Sequence, residues 1–301
     1  MNAATDRRGL WIAVASFVLW GLMPLYWHLL KAVPSLQIVA HRVVWSTLLV
    51  AAWLGWTLGR HWLREVLRQP RKAAMLGVSG ALIAFNWGLY IWAVNAGHVI
   101  ETSLGYFIGP LVSVMLGVVF LGERLRTAQW IAIAFAFAGV AWLTFEYGRP
   151  PLIAIGLAVS FALYGLIRKL VAVEAVTGLG VENVYLFVPA LALMFWGETH
   201  GQGSFVGGWG LGTALLLVIA GALTALPLIG FAYAVRRVSL TAIGLLQYVA
   251  PTLQFLIGVL ILREPFNAER AIGFVIIWLG LMIFAGEGVL RSRRVAVAAT
   301  A

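Results

Sequence analysis

The residues predict an all-α integral membrane protein of ten transmembrane helices, arranged as two inverted five-helix repeats. Three observations lead there. The 301 residues are 62% hydrophobic and 11% charged, against roughly 45–50% and about 25% in soluble domains. Positive charges sit between apolar blocks in an alternating pattern, and two stretches of the chain resemble one another at a nearly constant spacing. With a mean hydropathy of +0.96, a water-soluble enzyme and a disordered chain are both excluded, because so much apolar surface demands burial.

A membrane span needs roughly 20 apolar residues. Ten blocks qualify: 10–30, 36–58, 73–96, 101–121, 128–146, 152–171, 177–197, 211–235, 239–262 and 270–290. They are continuous runs rather than alternating ten-residue strands, which excludes a β-barrel. The first block follows Arg7 and Arg8, as a signal peptide would. It exceeds an h-region in length, holds Trp20 and Pro24 and lacks a small-residue cleavage site, so it reads as a retained span. The second carries His41 and Arg42, and a basic stretch from Arg60 to Lys72 parts it from the third, which holds Asn86, Tyr90 and Asn95. The fourth contains Tyr106, Gly109 and Pro110; Gly148-Arg149-Pro150-Pro151 separates the fifth from the sixth, which carries Tyr164. Glu182 lies in the seventh block, Pro227 in the eighth, and Gln247, Tyr248, Pro251 and Gln254 in the ninth. Arg291, Arg293 and Arg294 follow the tenth as an anchor near anionic lipid. Trp11, Trp62, Trp130, Trp196 and Trp209 fall near block ends, as interfacial belts require.

With the N-terminus inside, 16 of the 21 Lys and Arg residues face the cytoplasm; Lys31, Arg149, Arg263 and Arg270 face out, and Arg42 lies within the second span. This bias predicts a multi-pass protein of the cell inner membrane with both termini cytoplasmic. Topology accounts for the net charge of +10, and no basic region is large or aromatic-interleaved enough for nucleic acid.

Ser16-Phe17-Val18-Leu19-Trp20-Gly21-Leu22 matches Ser160-Phe161-Ala162-Leu163-Tyr164-Gly165-Leu166 at an offset of 144. Pro110, Gly117, Leu121, Glu123 and Gly139 match Pro251, Gly258, Leu262, Glu264 and Gly280 at 141. The expected halves are therefore 1–148 and 149–301, each with five spans. Five is odd, so the second copy is upside down, with Glu123 on the inner side and Glu264 on the outer. Inverted repeats underlie alternating access in many secondary transporters, with solute bound near the midplane. Channels also use such pseudo-symmetry.

The repeated segments carry a resemblance. Asn86-Trp87-Gly88-Leu89-Tyr90-Ile91-Trp92-Ala93-Val94-Asn95 runs on to Gly97-His98, Ser103-Leu104-Gly105-Tyr106-Phe107, Pro110-Leu111-Val112-Ser113-Val114 and Phe120-Leu121-Gly122-Glu123-Arg124-Leu125. With His41-Arg42-Val43-Val44-Trp45-Ser46 and the stretch from Leu246 to Phe255, this string resembles the RarD group of the drug/metabolite transporter superfamily, the EamA-type permeases. The resemblance implies a ten-helix permease of two inverted EamA-like repeats, similar to proteins described as chloramphenicol-sensitivity permeases. Gly109 and Ala96 stand where the group leads one to expect asparagine, which bears on selectivity.

Ionisable groups inside hydrocarbon usually face a cavity or a partner. His41 and Arg42 in one half, and Glu182 at offset 141 in the other, are candidates for charge recognition, gating or coupling; fixed interhelical pairs or snorkelling are the alternative. Trp20, Asn86, Tyr90, Asn95, Tyr106, Tyr164, Gln247, Tyr248 and Gln254 are candidate substrate-binding residues. Aromatic walls with a few amides suit a small, partly apolar organic solute, though amides also serve as interhelical glue. Gln247 and Gln254, seven apart, are expected to share a face of the ninth span. Pro110 and Pro251 occupy matched places, where breaks point to a binding site, and Gly105 with Gly109 permits close helix approach or a gate. Glu123 with Arg124, and Arg263 with Glu264, read as solvated loop charges.

Asp6 is the sole aspartate, there is no cysteine, and no His-Glu-x-x-His, Gly-x-Ser-x-Gly or phosphate-loop motif occurs. No enzyme, cofactor or metal is therefore expected. The function expected is secondary transport of a small organic solute by alternating access, with export as one direction. A channel-like or uncoupled facilitator is the alternative. The first span has no acidic residue between Leu10 and Leu30, which excludes proton antiport through a first-helix carboxylate. The expected partners are the solute and the bilayer, for a monomer or homodimer.

Overall fold

Apolar blocks of this length must satisfy their backbone internally, and helices do so. The computed structural model describes residues 7–59, 61–122, 124–201, 209–235, 237 and 246–298. Arg60 and Arg236, which count among the 16 inner basic residues, and Glu123 lie outside the described residues. The helices are α1 (Arg7–Leu29), α2 (Ser35–Thr57), α3 (Trp62–Leu67), α4 (Pro70–Asn95), α5 (Val99–Leu121), α6 (Thr127–Tyr147), α7 (Leu152–Val171), α8 (Ala175–Thr199), α9 (Gly210–Val235), α10 (Val249–Leu256) and α11 (Ala268–Ala298). Among the described residues nine helices are long and apolar enough to span a bilayer, and the shorter Val249–Ile261 occupies the ninth block. The short helix α3 was invisible in the hydropathy, because one and a half turns leave no 20-residue signal.

Successive spans run antiparallel, so one face of the bundle carries Arg7 and the other Lys31. Cross-ties confirm the alternation. On the Arg7 face, Arg126 at the foot of α6 pairs with Glu287 of α11 at 2.7 Å. On the Lys31 face, Arg149 lies 3.7 Å from Glu101, and Asn267 Nδ2 donates to Glu146 at 3.4 Å. Phe137, Phe145 and Trp56 are three-quarters or more exposed, as lipid-facing side chains should be.

Exchanging the two halves maps the large helix interfaces onto one another. Mates pack on mates in α2 with α8, α5 with α10, and α6 with α11; the other large interfaces come in exchanged pairs, α5–α7 with α1–α10, α4–α7 with α1–α9, and α2–α9 with α4–α8. The relation is tightest where α6 crosses α11. A Cβ added at Gly139 would lie 2.8 Å from the Gly273 carbonyl oxygen, and one at Gly280 would lie 2.8 Å from that of Ala132. Ala132 and Gly273 are themselves mates at offset 141. Helix ends repeat as well: the caps after α5 and after the ninth span are the mates Gly122 (φ 65°) and Arg263 (φ 52°), both left-handed.

The halves differ in their fourth helices. α5 runs unbroken through Pro110, whereas residues 247 and 248 form a turn before α10, and Ile257–Ile261 forms a π turn after it. Matched breaks were expected, and the break occurs only in the second half. Pro251 sits in the first turn of α10, where its missing N–H has no partner to lose. Gln247 lies in the turn, so it does not share a helix face with Gln254. Trp62 is not a belt residue either: it is buried, with its ring against Gly180 of α8.

Candidate functional site: two charged stations joined by aromatic rings

Arg42 lies seven residues into α2 from the Lys31 face, about 10 Å deep at 1.5 Å per residue. Glu182 lies as far into α8 from the Arg7 face. Each is buried, and each would be costly unless its charge were compensated.

The compensation differs. The guanidinium carbon of Arg42 sits 4.1 Å from the centroid of Trp87 and 5.4 Å from that of Trp27, within cation–π range of both rings. The Tyr90 and Tyr106 phenols lie within electrostatic range. Among the described residues no carboxylate pairs with Arg42, and its Nε finds no acceptor. The Trp27 indole N–H and the Tyr90 hydroxyl are likewise buried without a partner. His41 points elsewhere: the Trp45 indole N–H approaches its Nδ1 at 3.2 Å. An indole nitrogen only donates, so Nδ1 accepts, and the neutral ring carries its proton on Nε2. The electrostatic neighbour of His41 is Glu198, so the adjacent cations expected from sequence belong to separate surroundings.

Glu182 is fully buried and fully engaged. Ser79 Oγ donates to Oε1 at 2.5 Å, the Tyr164 hydroxyl donates to Oε2 at 3.3 Å, and Arg168 Nη1 approaches Oε1 at 3.4 Å. Arg168 also donates to the carbonyls of Glu174 and Ala175, which ties the end of α7 to the start of α8.

A chain of rings joins the stations. Tyr90 meets Tyr106 edge-on at 5.6 Å, Tyr106 meets Phe161 at 6.4 Å, and Phe161 meets Tyr164 at 6.0 Å. Beside it, Asn86 Nδ2 donates to the Leu157 carbonyl at 3.0 Å and to Ser160 Oγ at 2.9 Å, with the Tyr106 hydroxyl 3.5 Å from its Oδ1. Asn86 is thus held between α4 and α7 as interhelical glue. Trp20 packs against Phe17 and Phe231, and Gln254 Nε2 donates to its carbonyl at 3.2 Å, tying α10 to α1. Both polar atoms of the Asn95 side chain are buried without a partner. Gln247 and Tyr248 stand at the turn before α10. Gly105 packs closely, since an added Cβ would come within 2.9 Å of the Ala154 carbonyl oxygen, whereas Gly109 has nothing within 4 Å. A groove of about 590 Å³, lined by Leu19, Met23, Tyr26, Leu223 and Leu262 among others, opens between α1, α9 and the end of the π turn that follows α10, and shares no residue with either station.

Glu264 is not the solvated loop charge that its position suggested. It accepts from the N–H groups of Val99 at 2.6 Å and Ile100 at 2.8 Å, capping α5 from across the bundle. Burial raises its carboxyl above the ordinary carboxylate value, against the pull of those two N–H donors and of nearby His98. Glu101 does the same for α7, accepting from Ile153 N at 3.0 Å. Sequence reasoning also missed Trp27 and Trp87 as a cage, and Ser79 and Arg168 as partners of Glu182. Hydropathy places such residues by depth along a span; it carries no signal for which helix faces which.

The sequence profile of the EamA-like transporter family matches twice, over residues 7–145 and 149–286. Protein RarD of Streptomyces exfoliatus is 45% identical over 295 residues, covering 98% of this chain and 93% of that one. Protein RarD of Escherichia coli K12 is 41% identical over 98% of this chain and 99% of the relative. A Pseudomonas aeruginosa protein named chloramphenicol-sensitive protein RarD is 37% identical, covering 92% and 93%. A solved crystal structure shares the fold, with a TM-score of 0.59 at 21% identity, covering 91% of this chain and 96% of its own. An all-helical bundle that the family profile matches twice, with full-length relatives at this identity, is a membrane transporter rather than an enzyme: the chain belongs to the EamA-like transporter family, as a RarD-type permease.

Proposed function

We propose that the chain is a secondary transporter of the inner membrane that moves a small, partly apolar organic solute by alternating access. The Arg7 face is cytoplasmic in this reading, because 16 of 21 basic residues fall to that side, and the halves divide at Gly148 and Arg149. The observation that carries the proposal is the exchangeable packing of the two halves, with a charged station at equal depth from each face. A bundle whose contacts interconvert under a two-fold has two nearly equivalent arrangements, one open to each side, and rocking between them carries the solute past the midplane. The rings between Arg42 and Glu182 form the walls of the route, with Tyr90, Tyr106 and Tyr164 as its substrate-facing candidates. Trp20, Asn95, Gln247, Tyr248 and Gln254 are further substrate-binding candidates, and Asn86, held between α4 and α7, supports the path from behind. Gly109, with open space beside it, and the Pro110 and Pro251 helices supply the moving parts.

Purified protein in liposomes tests this. Saturable counterflow of a small organic solute, with amphenicols and aromatic metabolites as the first panel, is the expected result. A non-saturating conductance would mean a channel instead. The chain has no cysteine, so single cysteines at Lys31 and Arg64 test the orientation without background. Membrane-impermeant reagent added outside intact cells should label the first and spare the second.

A further inference from the structure

The Arg42 station has a lopsided inventory. Its buried polar atoms without a partner are the Arg42 Nε, the Trp27 Nε1 and the Tyr90 hydroxyl. Guanidinium and indole nitrogens only donate, and a phenol donates as readily as it accepts. Three helices, α1, α2 and α4, thus bring donors to one cation, and no acceptor among the described residues meets them. The Trp87 and Trp27 rings lie 4.1 and 5.4 Å from the guanidinium carbon, and the edge that carries Nε has no acceptor. That edge, Nε with a terminal nitrogen, is the fork that binds a carboxylate side-on through two parallel hydrogen bonds.

From this we infer that the transported solute is an organic monoanion, whose carboxylate docks on the edge of Arg42 while its apolar or aromatic body lies along the Tyr90–Tyr106–Phe161 rings. The inference deepens the transporter reading and rests on it. A carboxylate offers two oxygens with about four lone-pair sites, enough for the two guanidinium donors, the indole N–H and the phenol. A neutral solute would leave the cation uncompensated in a low-dielectric site, and a cationic one would be repelled. A zwitterion fits poorly as well. Glu182, at the other end of the ring path, is already held by Arg168, Ser79 and Tyr164, so it has little left to offer an ammonium group.

The full-length chain in detergent provides the test, with phenylacetate, phenethyl alcohol, phenethylamine and phenylalanine as probes. Trp27 and Trp87 flank the station, so intrinsic fluorescence reports binding and thermal unfolding reports stabilisation. Phenylacetate should quench and stabilise, and the other three should bind at least roughly 10-fold more weakly, the scale of a charge-assisted hydrogen bond. Arg42→Gln should weaken phenylacetate roughly 10- to 100-fold, with Arg42→Lys intermediate because the point charge survives and the fork does not. Equal binding of phenylacetate and phenethyl alcohol to the unmodified protein, no binding of any carboxylate, or undiminished phenylacetate binding by Arg42→Gln would each overturn the inference. The first two outcomes need no variant to fold. Saturable counterflow that favours neutral or cationic solutes would sink the anion and leave the transporter standing. Arg42-dependent phenylacetate binding without saturable counterflow of any solute would do the reverse.

Discussion

The Arg42 and Glu182 stations sit at the same depth in mate helices, entered from opposite faces, yet they are built by different rules. At Glu182 every oxygen is engaged by the fold itself, through a hydroxyl, a phenol and a guanidinium from α4 and α7. At Arg42 the fold supplies ring faces and further donors. Duplication preserved what packing demands, such as the reciprocal glycines of α6 and α11, and left polar chemistry free to diverge. A charge whose hydrogen bonds are complete inside the protein locks helices together. One whose hydrogen-bonding edge is left open is suited to recognise something else.

That contrast breaks most directly by mutation. Glu182→Ala strands Arg168, Ser79 and Tyr164 and should cost about 3 kcal/mol or more, the scale of breaking a buried pair, with Glu182→Gln milder. Arg42→Gln forfeits cation–π contact worth roughly 1–2 kcal/mol and should leave unfolding cooperative. Thermal denaturation in one detergent compares them, and equal losses would erase the distinction between a structural station and a binding one.

A smaller effect sharpens the comparison at the Lys31 face. Glu264→Ala removes the acceptor for two amide groups at the start of α5 and should lower stability by about 1–2 kcal/mol, as capping losses do. Burial raises this carboxyl in the folded state, so its net contribution is complete below the ordinary carboxylate value and is lost as pH rises through the folded one. Glu264→Gln, which resembles the protonated group, should therefore be the gentler change, and its deficit should shrink as pH rises. A deficit that grows with pH would contradict the assignment.

The smallest effect concerns the two helix caps. Gly122 and Arg263 share a left-handed backbone, in which a side chain is strained by roughly 1–2 kcal/mol. Arg263→Gly should raise stability by about 0.5–1 kcal/mol after the added freedom of the unfolded chain is counted, and Gly122→Ala should lower it by a similar amount. Denaturation midpoints that move the same way for both would deny the equivalence of the caps.

Legibility in the sequence followed the kind of force involved. Span edges agree with the helices to within three residues for the first eight blocks, from 7–29 against 10–30 to 210–235 against 211–235. Hydrocarbon thickness imposes a length that any hydropathy scan can detect. Glu182 and Arg42 stood out as charges where charge is costly. Their partners did not: Trp27, Trp87 and Ser79 look like ordinary span residues, and Arg168 resembles a loop charge at a span end. Glu264 was misjudged because a carboxylate at a block edge reads as solvated unless one knows which helix begins beside it.

By itself the order of residues determined that the chain enters lipid, how many times it crosses, and that it repeats, since these follow from transfer free energy summed along a line. Tertiary structure alone decided which charges are already answered and which are left open. Compensation of a buried charge depends on atoms three or four ångströms away on other helices, and nothing in a one-dimensional profile encodes that distance.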